Sequence, residues 1–266
     1  MTAEEAARRV LSGCVADFDR HLAQIMVSDD PEAPHAARVA LRRLRSALSG
    51  FAPILDQKIL AATKSEARAL FRLLGPVRDA DVLAHELCSA DEVAERMAQA
   101  SARRFEARAA LVTQDGLGFA GKIQALCAGD RWWRSGSKAE KYRTSPARRL
   151  AARALDRAWR AGENHAATIP KMSDADRHEF RKDMKTLRYM GDFFGPLWPG
   201  KALKRFLERM EVLQGALGTL NDIATANKAG KLRGKARAKA EKRAAVAMRR
   251  ADKTWHRLHK AGPWWH

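Results

Sequence analysis

In the stretch HAARVALRRLR, residues 35 to 45, His35, Arg38, Arg42 and Arg45 follow one another at spacings of three, four and three. A helix turns about 100° per residue, so this spacing places the four on one stripe of its surface. Val39, Leu41, Leu44 and Leu48 fall on neighbouring faces and can pack. The spacing returns in HEFRKDMKTLR, where His178, Arg181, Lys185 and Arg188 make a second stripe. Like charges three and four residues apart repel by roughly 0.2–0.5 kcal/mol per pair. Too few carboxylates stand at those offsets to cancel them, so a bound anion would relieve the repulsion. Arginine offers a planar fork that matches phosphate oxygens, and lysine a point charge. A row of such groups on a rigid helix suits an extended, repeating anion. A lone basic stripe is commonly a solvated face or one side of interhelical salt bridges. Its recurrence in the same internal spacing argues for a site.

Little else in the sequence offers chemistry. His35 and His178 each fall near a helix start, where a histidine can contact phosphate, cap the helix or sit satisfied in the core. A histidine acting as general base needs a nucleophile or metal beside it, and the sequence shows none. There is no Gly-rich phosphate loop, no HExxH, no CxxC and no pair of catalytic carboxylates. The expectation is a binding protein without catalytic residues, metal or cofactor. Cys14, Cys88 and Cys127 lack metal-ligand spacing, and their odd number speaks against a disulfide framework. They read as small core residues in a reducing cytoplasm. No apolar run approaches the ~18 residues that cross a bilayer, and the N-terminus has no signal-peptide core.

The elements that must hold the stripes are helices. Apolar positions recur at three and four residues almost throughout, and no β-type alternation is convincing. The expected helices span about 2–27, 35–51, 57–73, 78–88, 91–112, 117–128, 146–166, 174–195, 201–216, 219–228 and 235–260. Shifted by 143 residues, the chain falls on itself: His35 on His178, Arg38 on Arg181, Leu44 on Leu187, Arg45 on Arg188, Phe51 on Phe194 and Pro53 on Pro196. Leu74-Gly75 then falls on Leu217-Gly218 and Asp79 on Asp222, which makes 12 identities in the 49 positions from 35 to 83. Asp79 and Asp222 are expected near helix starts, as N-caps or buried partners of an arginine. The chain thus reads as one all-α domain over 1–266, built from two copies of a helical unit about a pseudo-twofold. The halves are 1–130 and 145–266, joined by a link over 131–144, where glycine, serine and charge interrupt the periodicity.

The paired motifs HAARVALRRLRSALSGF and LLGPVRDADVL at 35–51 and 73–83, with RHEFRKDMKTLRYMGDFF and LQGALGTLNDIATA at 177–194 and 213–226, resemble a CHAD domain, the conserved histidine α-helical domain. The resemblance covers most of the chain. It implies two four-helix bundles with a basic surface between them, inorganic polyphosphate as the ligand, and association with polyphosphate granules. It assigns contact to His35, Arg38, Arg42 and Arg45 on one helix and to His178, Arg181, Lys185 and Arg188 on the other. Arg43 and Lys182 lie beside the stripes and join the expected set. Thr186 falls where the first copy has Arg43, and Lys185 where it has Arg42, so the second stripe is thinner.

Charge leaves a rival explanation open. Fifty Lys and Arg against 31 Asp and Glu give +19, a balance that draws polyanions. Residues 228 to 260 hold 13 Lys and Arg against Glu241 and Asp252, which is +11 of that total. This tail resembles Lys/Ala-rich arms that bind DNA without reading sequence. Its later part, with Ala244, Ala245, Val246, Met248, Trp255 and Leu258, reads as a packed helix. The alternative function is therefore nonspecific nucleic-acid binding through the tail, and weak nucleic-acid binding is expected on either reading. Trp132-Trp133 and Trp264-Trp265 are expected to cover bundle ends or mediate self-association. The sequence does not set the oligomeric state.

Overall fold

The computed structural model describes residues 1–86, 92–113, 115–165, 168–228 and 233–266. Their regular structure is helical, apart from two isolated β-bridges. The chain forms two compact units, Met1–Ala147 and Arg148–His266.

The first unit holds α1 (Ala3–Val27), α2 (Glu32–Phe51), α3 (Gln57–Leu73), α4 (Gly75–Glu86), α5 (Val93–Thr113), α6 (Phe119–Ala128) and α7 (Ser137–Arg143). Thr2 opens α1 with a capping box: its Oγ1 accepts from Glu5 N at 3.2 Å, and its own N–H donates to Glu5 Oε2 at 2.8 Å. Helix α2 begins at Glu32, one turn earlier than periodicity indicates. Pro31 and Pro34 are tolerated there because the first-turn N–H groups have no intrahelical acceptor. Asp56 caps α3 by accepting from Lys58 N and Ile59 N.

Helix α1 packs along α2, α6 lies on α1, α3 on α2, and α4 on α5. Leu11, Val15, Phe18, Leu22 and Ile25 of α1 and Leu41, Leu44 and Leu48 of α2 are buried. Each such side chain contributes about 1.5–3 kcal/mol. Phe119 of α6 meets Phe18 edge-on at 5.8 Å between ring centroids. The Cys14 thiol lies in this layer, and burial pushes its pKa up to about 12, against the opposing pull of Arg43. Burial raises Cys127 as well. Cys88, and the expected helix ends near 88 and 91, lie outside the described residues.

Residues 131–144, read above as a link, carry α7 and lie within the first unit. Asp56 N donates to the Trp132 carbonyl at 2.9 Å and Arg134 N to that of Ile54 at 3.0 Å. Ala3 N donates to Ser145 O at 3.0 Å, so the residue that follows the segment holds the start of α1. Trp132 and Trp133 are buried beneath it.

The second unit holds α8 (Ala147–Glu163), which starts at the boundary, then α9 (Asp174–Phe194), α10 (Lys201–Lys228) and α11 (Gly234–Ala261). Ser173 and Asp176 form a capping box at the start of α9. Helix α10 packs on α9 and α11. The core is aromatic: Trp159 contacts Trp255 and Trp265, and Phe180 meets Trp255 edge-on at 5.1 Å.

The separate helices expected over 201–216 and 219–228 are a single helix, α10. In the first unit Gly75-Pro76 divides α3 from α4, since proline has no N–H and clashes with a continuing helix. At the matching offset Thr219 replaces that proline, and Gly218 alone does not stop the helix. No helix among the described residues is long and apolar enough to cross a membrane.

Candidate functional site

The structure separates the residues of the first stripe. Arg38 Nη1 donates to the Phe71 carbonyl at 2.6 Å, and its guanidinium lies 3.9 Å over the Phe71 ring. That carbonyl belongs to the last turn of α3, where acceptors are unsatisfied and the helix dipole is negative. Gly75 makes the room, because a Cβ there would stand 2.9 Å from Arg38 Nη1. Arg38 thus fastens α2 to the end of α3. Arg42 sits 5.4 Å from the same ring, half-exposed.

Arg45 meets a second basic row. Its pKa is lowered first by burial, then by Arg68, Arg42 and Arg72. Burial and Arg45 lower Lys64. Burial lowers Arg38, and Arg42 and Arg78 push it the same way, while Asp79 opposes them. Seven cations from three helices therefore act on one another: Arg38, Arg42 and Arg45 of α2, Lys64, Arg68 and Arg72 of α3, and Arg78 of α4. Glu66, also on α3, is taken by Lys122 at 2.6 Å. Among the described residues no salt bridge reaches Arg42, Arg45, Lys64, Arg68 or Arg72. Such a surface favours a bound anion, which offsets the mutual repulsion of the charged forms.

The α3 row was missed by the sequence reading, although Lys64, Arg68 and Arg72 recur at four-residue spacing. The spacing alone says only that they share a face. Two expected members stand apart. Arg43 turns toward α1 and hydrogen-bonds the Cys14 thiol, about 100° around the helix from Arg42. His35 lies half-buried near the start of α2. Asp79 is an exposed residue inside α4, acting on Arg38, and Asp222 lies mid-helix in α10. Neither is an N-cap or buried, the two roles expected, although Asp79 does act on an arginine from its exposed position.

In the second unit, Arg181, Lys185 and Arg188 lie half-exposed along α9. His178 Nδ1 is 2.9 Å from Asn221 Oδ1, which ties α9 to α10. Lys182 is exposed and paired within its helix to Glu179 at 2.7 Å. At the 143-residue offset Lys64, Arg68 and Arg72 fall on Leu207, Glu211 and Gly215, so α10 adds no basic row beside α9. Helix α11 buries Ala247, Ala251, Thr254 and Leu258 and exposes Lys235, Lys239, Lys242, Arg243, Arg249 and Arg257. Residues 229–232 of the expected tail lie outside the described residues. No group of three His, Cys, Asp or Glu among the described residues is placed to hold a metal ion.

The geometry separates Arg38, a hydrogen-bonded strut, from Arg42, whose guanidinium meets the cluster and the Phe71 ring. Arg38→Met should lower stability by about 1–3 kcal/mol, because a charged hydrogen bond and a cation–π contact are lost together. Arg42→Met should change it by less than about 0.5 kcal/mol. Urea unfolding of the two variants distinguishes them, and equal stabilities would refute the assignment of Arg38 as the strut.

The family model of the CHAD domain matches residues 9–230. The crystal structure of the CHAD domain from the plant Ricinus communis superposes with a TM-score of 0.74 at 21% identity, covering 97% of this chain and 93% of that one. PptA from Streptomyces chartreusis superposes with a TM-score of 0.59 at 18% identity, covering 98% and 99%. No curated protein sequence matches the chain.

Proposed function

The chain belongs to the CHAD-domain family, and from that premise we propose that it binds inorganic polyphosphate and does so without catalysis. The observation that carries this reading is the α2–α3–α4 cation cluster, in which Arg42, Arg45, Lys64, Arg68 and Arg72 have no carboxylate of their own among the described residues. A chain of phosphates supplies closely repeated negative charge that can meet several of these groups at once. Arginine forks give each contact direction as well as charge. Arg181, Lys185 and Arg188 of α9 give the second unit a basic row of its own for the same ligand, with His35 and His178 as further phosphate contacts. The unequal basic rows make the first unit the stronger contributor. Attachment to polyphosphate granules in the cytoplasm is part of the same proposal.

The exposed basic face of α11 favours a second reading, nonspecific capture of nucleic acid. Competition decides between them. Labelled long-chain polyphosphate is titrated in ~150 mM salt with duplex DNA as competitor. The proposal expects polyphosphate to win by orders of magnitude per phosphate. Equal competition by DNA would reduce the protein to a charged surface and favour α11.

A further inference from the structure

We propose that the open groove between α10 and α11 is the docking surface for a second copy of this chain. The groove encloses about 890 Å³ and belongs wholly to the second unit. Its rims carry opposite charge. Glu208 and Glu211 line the α10 side, and Lys242, Arg243 and Arg250 line the α11 side. No salt bridge joins these rims among the described residues, so both remain available to a partner. The floor between them is open: nothing lies within 4 Å of where a side chain at Gly215 would begin. Val246, 57% exposed, stands on the basic side as an apolar ridge.

The charge pattern selects the occupant. A polyanion is disfavoured by the acidic rim, and a polycation by the basic one. What fits is a surface with one rim of each sign, and this groove is itself such a surface. A twofold axis through its centre sets each acidic rim against the partner's basic rim and each Val246 ridge toward the opposite floor. The net charge of +19 makes copies repel one another broadly. A face containing carboxylates is where such a chain can accept another copy. Helix α11 begins beyond residue 230, where the family match ends, so the basic rim lies outside that match and the acidic rim on α10 within it. Two joined copies would present twice the cation clusters on one particle and raise avidity for a long polymer. The docking itself does not depend on what those clusters bind.

Charge exchange provides the test, without polyphosphate. Sedimentation equilibrium is run over roughly 1–100 μM on wild type, E208K/E211K, K242E/R243E and an equimolar mixture of the two variants. Wild type should form a dimer of the 29.6 kDa chain. Each variant alone faces like charge across the axis and should dissociate at least ~100-fold more readily. The mixture restores both rim contacts and should dimerise again. A monomeric wild type, a variant that dimerises as wild type does, or a mixture that stays monomeric would each overturn the proposal.

Discussion

The R42E/R188E protein is expected to bind long-chain polyphosphate ~100-fold more weakly than wild type at about 150 mM salt, with its melting temperature nearly unchanged. Each reversal removes a guanidinium and leaves a carboxylate that repels the polymer. Arg42 and Arg188 are half-exposed, so neither change opens a cavity. Loss of phosphate contacts also flattens the dependence of affinity on salt, because fewer counterions are released on binding. Fluorescence anisotropy at several salt concentrations reads both quantities. The units should contribute unequally. R68E/R72E alters the doubled row of α2 and α3 and should weaken binding more than K185E/R188E, because α9 has no such neighbour on α10. Wild-type affinity in R42E/R188E would remove the stripes from the site.

The Asp81→Ala variant should lose about 3–5 kcal/mol of stability, the largest effect expected of a single substitution here. Arg104 of α5 donates to the Asp81 carboxylate of α4, and both side chains are almost fully buried. Removing the carboxylate leaves a guanidinium charge in a medium that solvates it poorly. For a unit of this size the loss corresponds to a fall of roughly 10 °C in melting temperature. The double variant D81L/R104M removes both charges and should recover most of the loss, since paired burial of ions has little net advantage over apolar packing. Thermal unfolding of the first unit tests both statements. A D81A cost no greater than that of a surface substitution would show that the pair is not load-carrying. Because α4 also holds Arg78 and Asp79, loosening this pair should disturb the neighbours of Arg38 before it reaches the α3 row.

The sequence by itself determined the all-α class, the faces of α2 and α9 that carry charge, and the family. These depend on local periodicity: a residue's angle on its own helix follows from counting. It also held the difference between Pro76 and Thr219, which divides α3 from α4 and leaves α10 whole. The tertiary structure decided what counting along one helix cannot. Arg42 and Arg43 are adjacent in sequence, yet one faces the cation cluster and the other the Cys14 thiol, because α1 occupies one side of α2 and α3 another. Arg38 has the same spacing as its neighbours but meets the orphan carbonyl of Phe71, which only the end of α3 supplies. Residues 131–144 look like a link because glycine, serine and charge break their pattern. Backbone hydrogen bonds to Ile54 and Asp56, with two buried tryptophans, bind the segment to the first unit. The basic row on α3 was visible as spacing, and it acquired meaning only when packing brought Arg68 and Arg72 to Arg45. Charges that share a helix are set by the period of the chain, and charges that share a site are set by which helices touch.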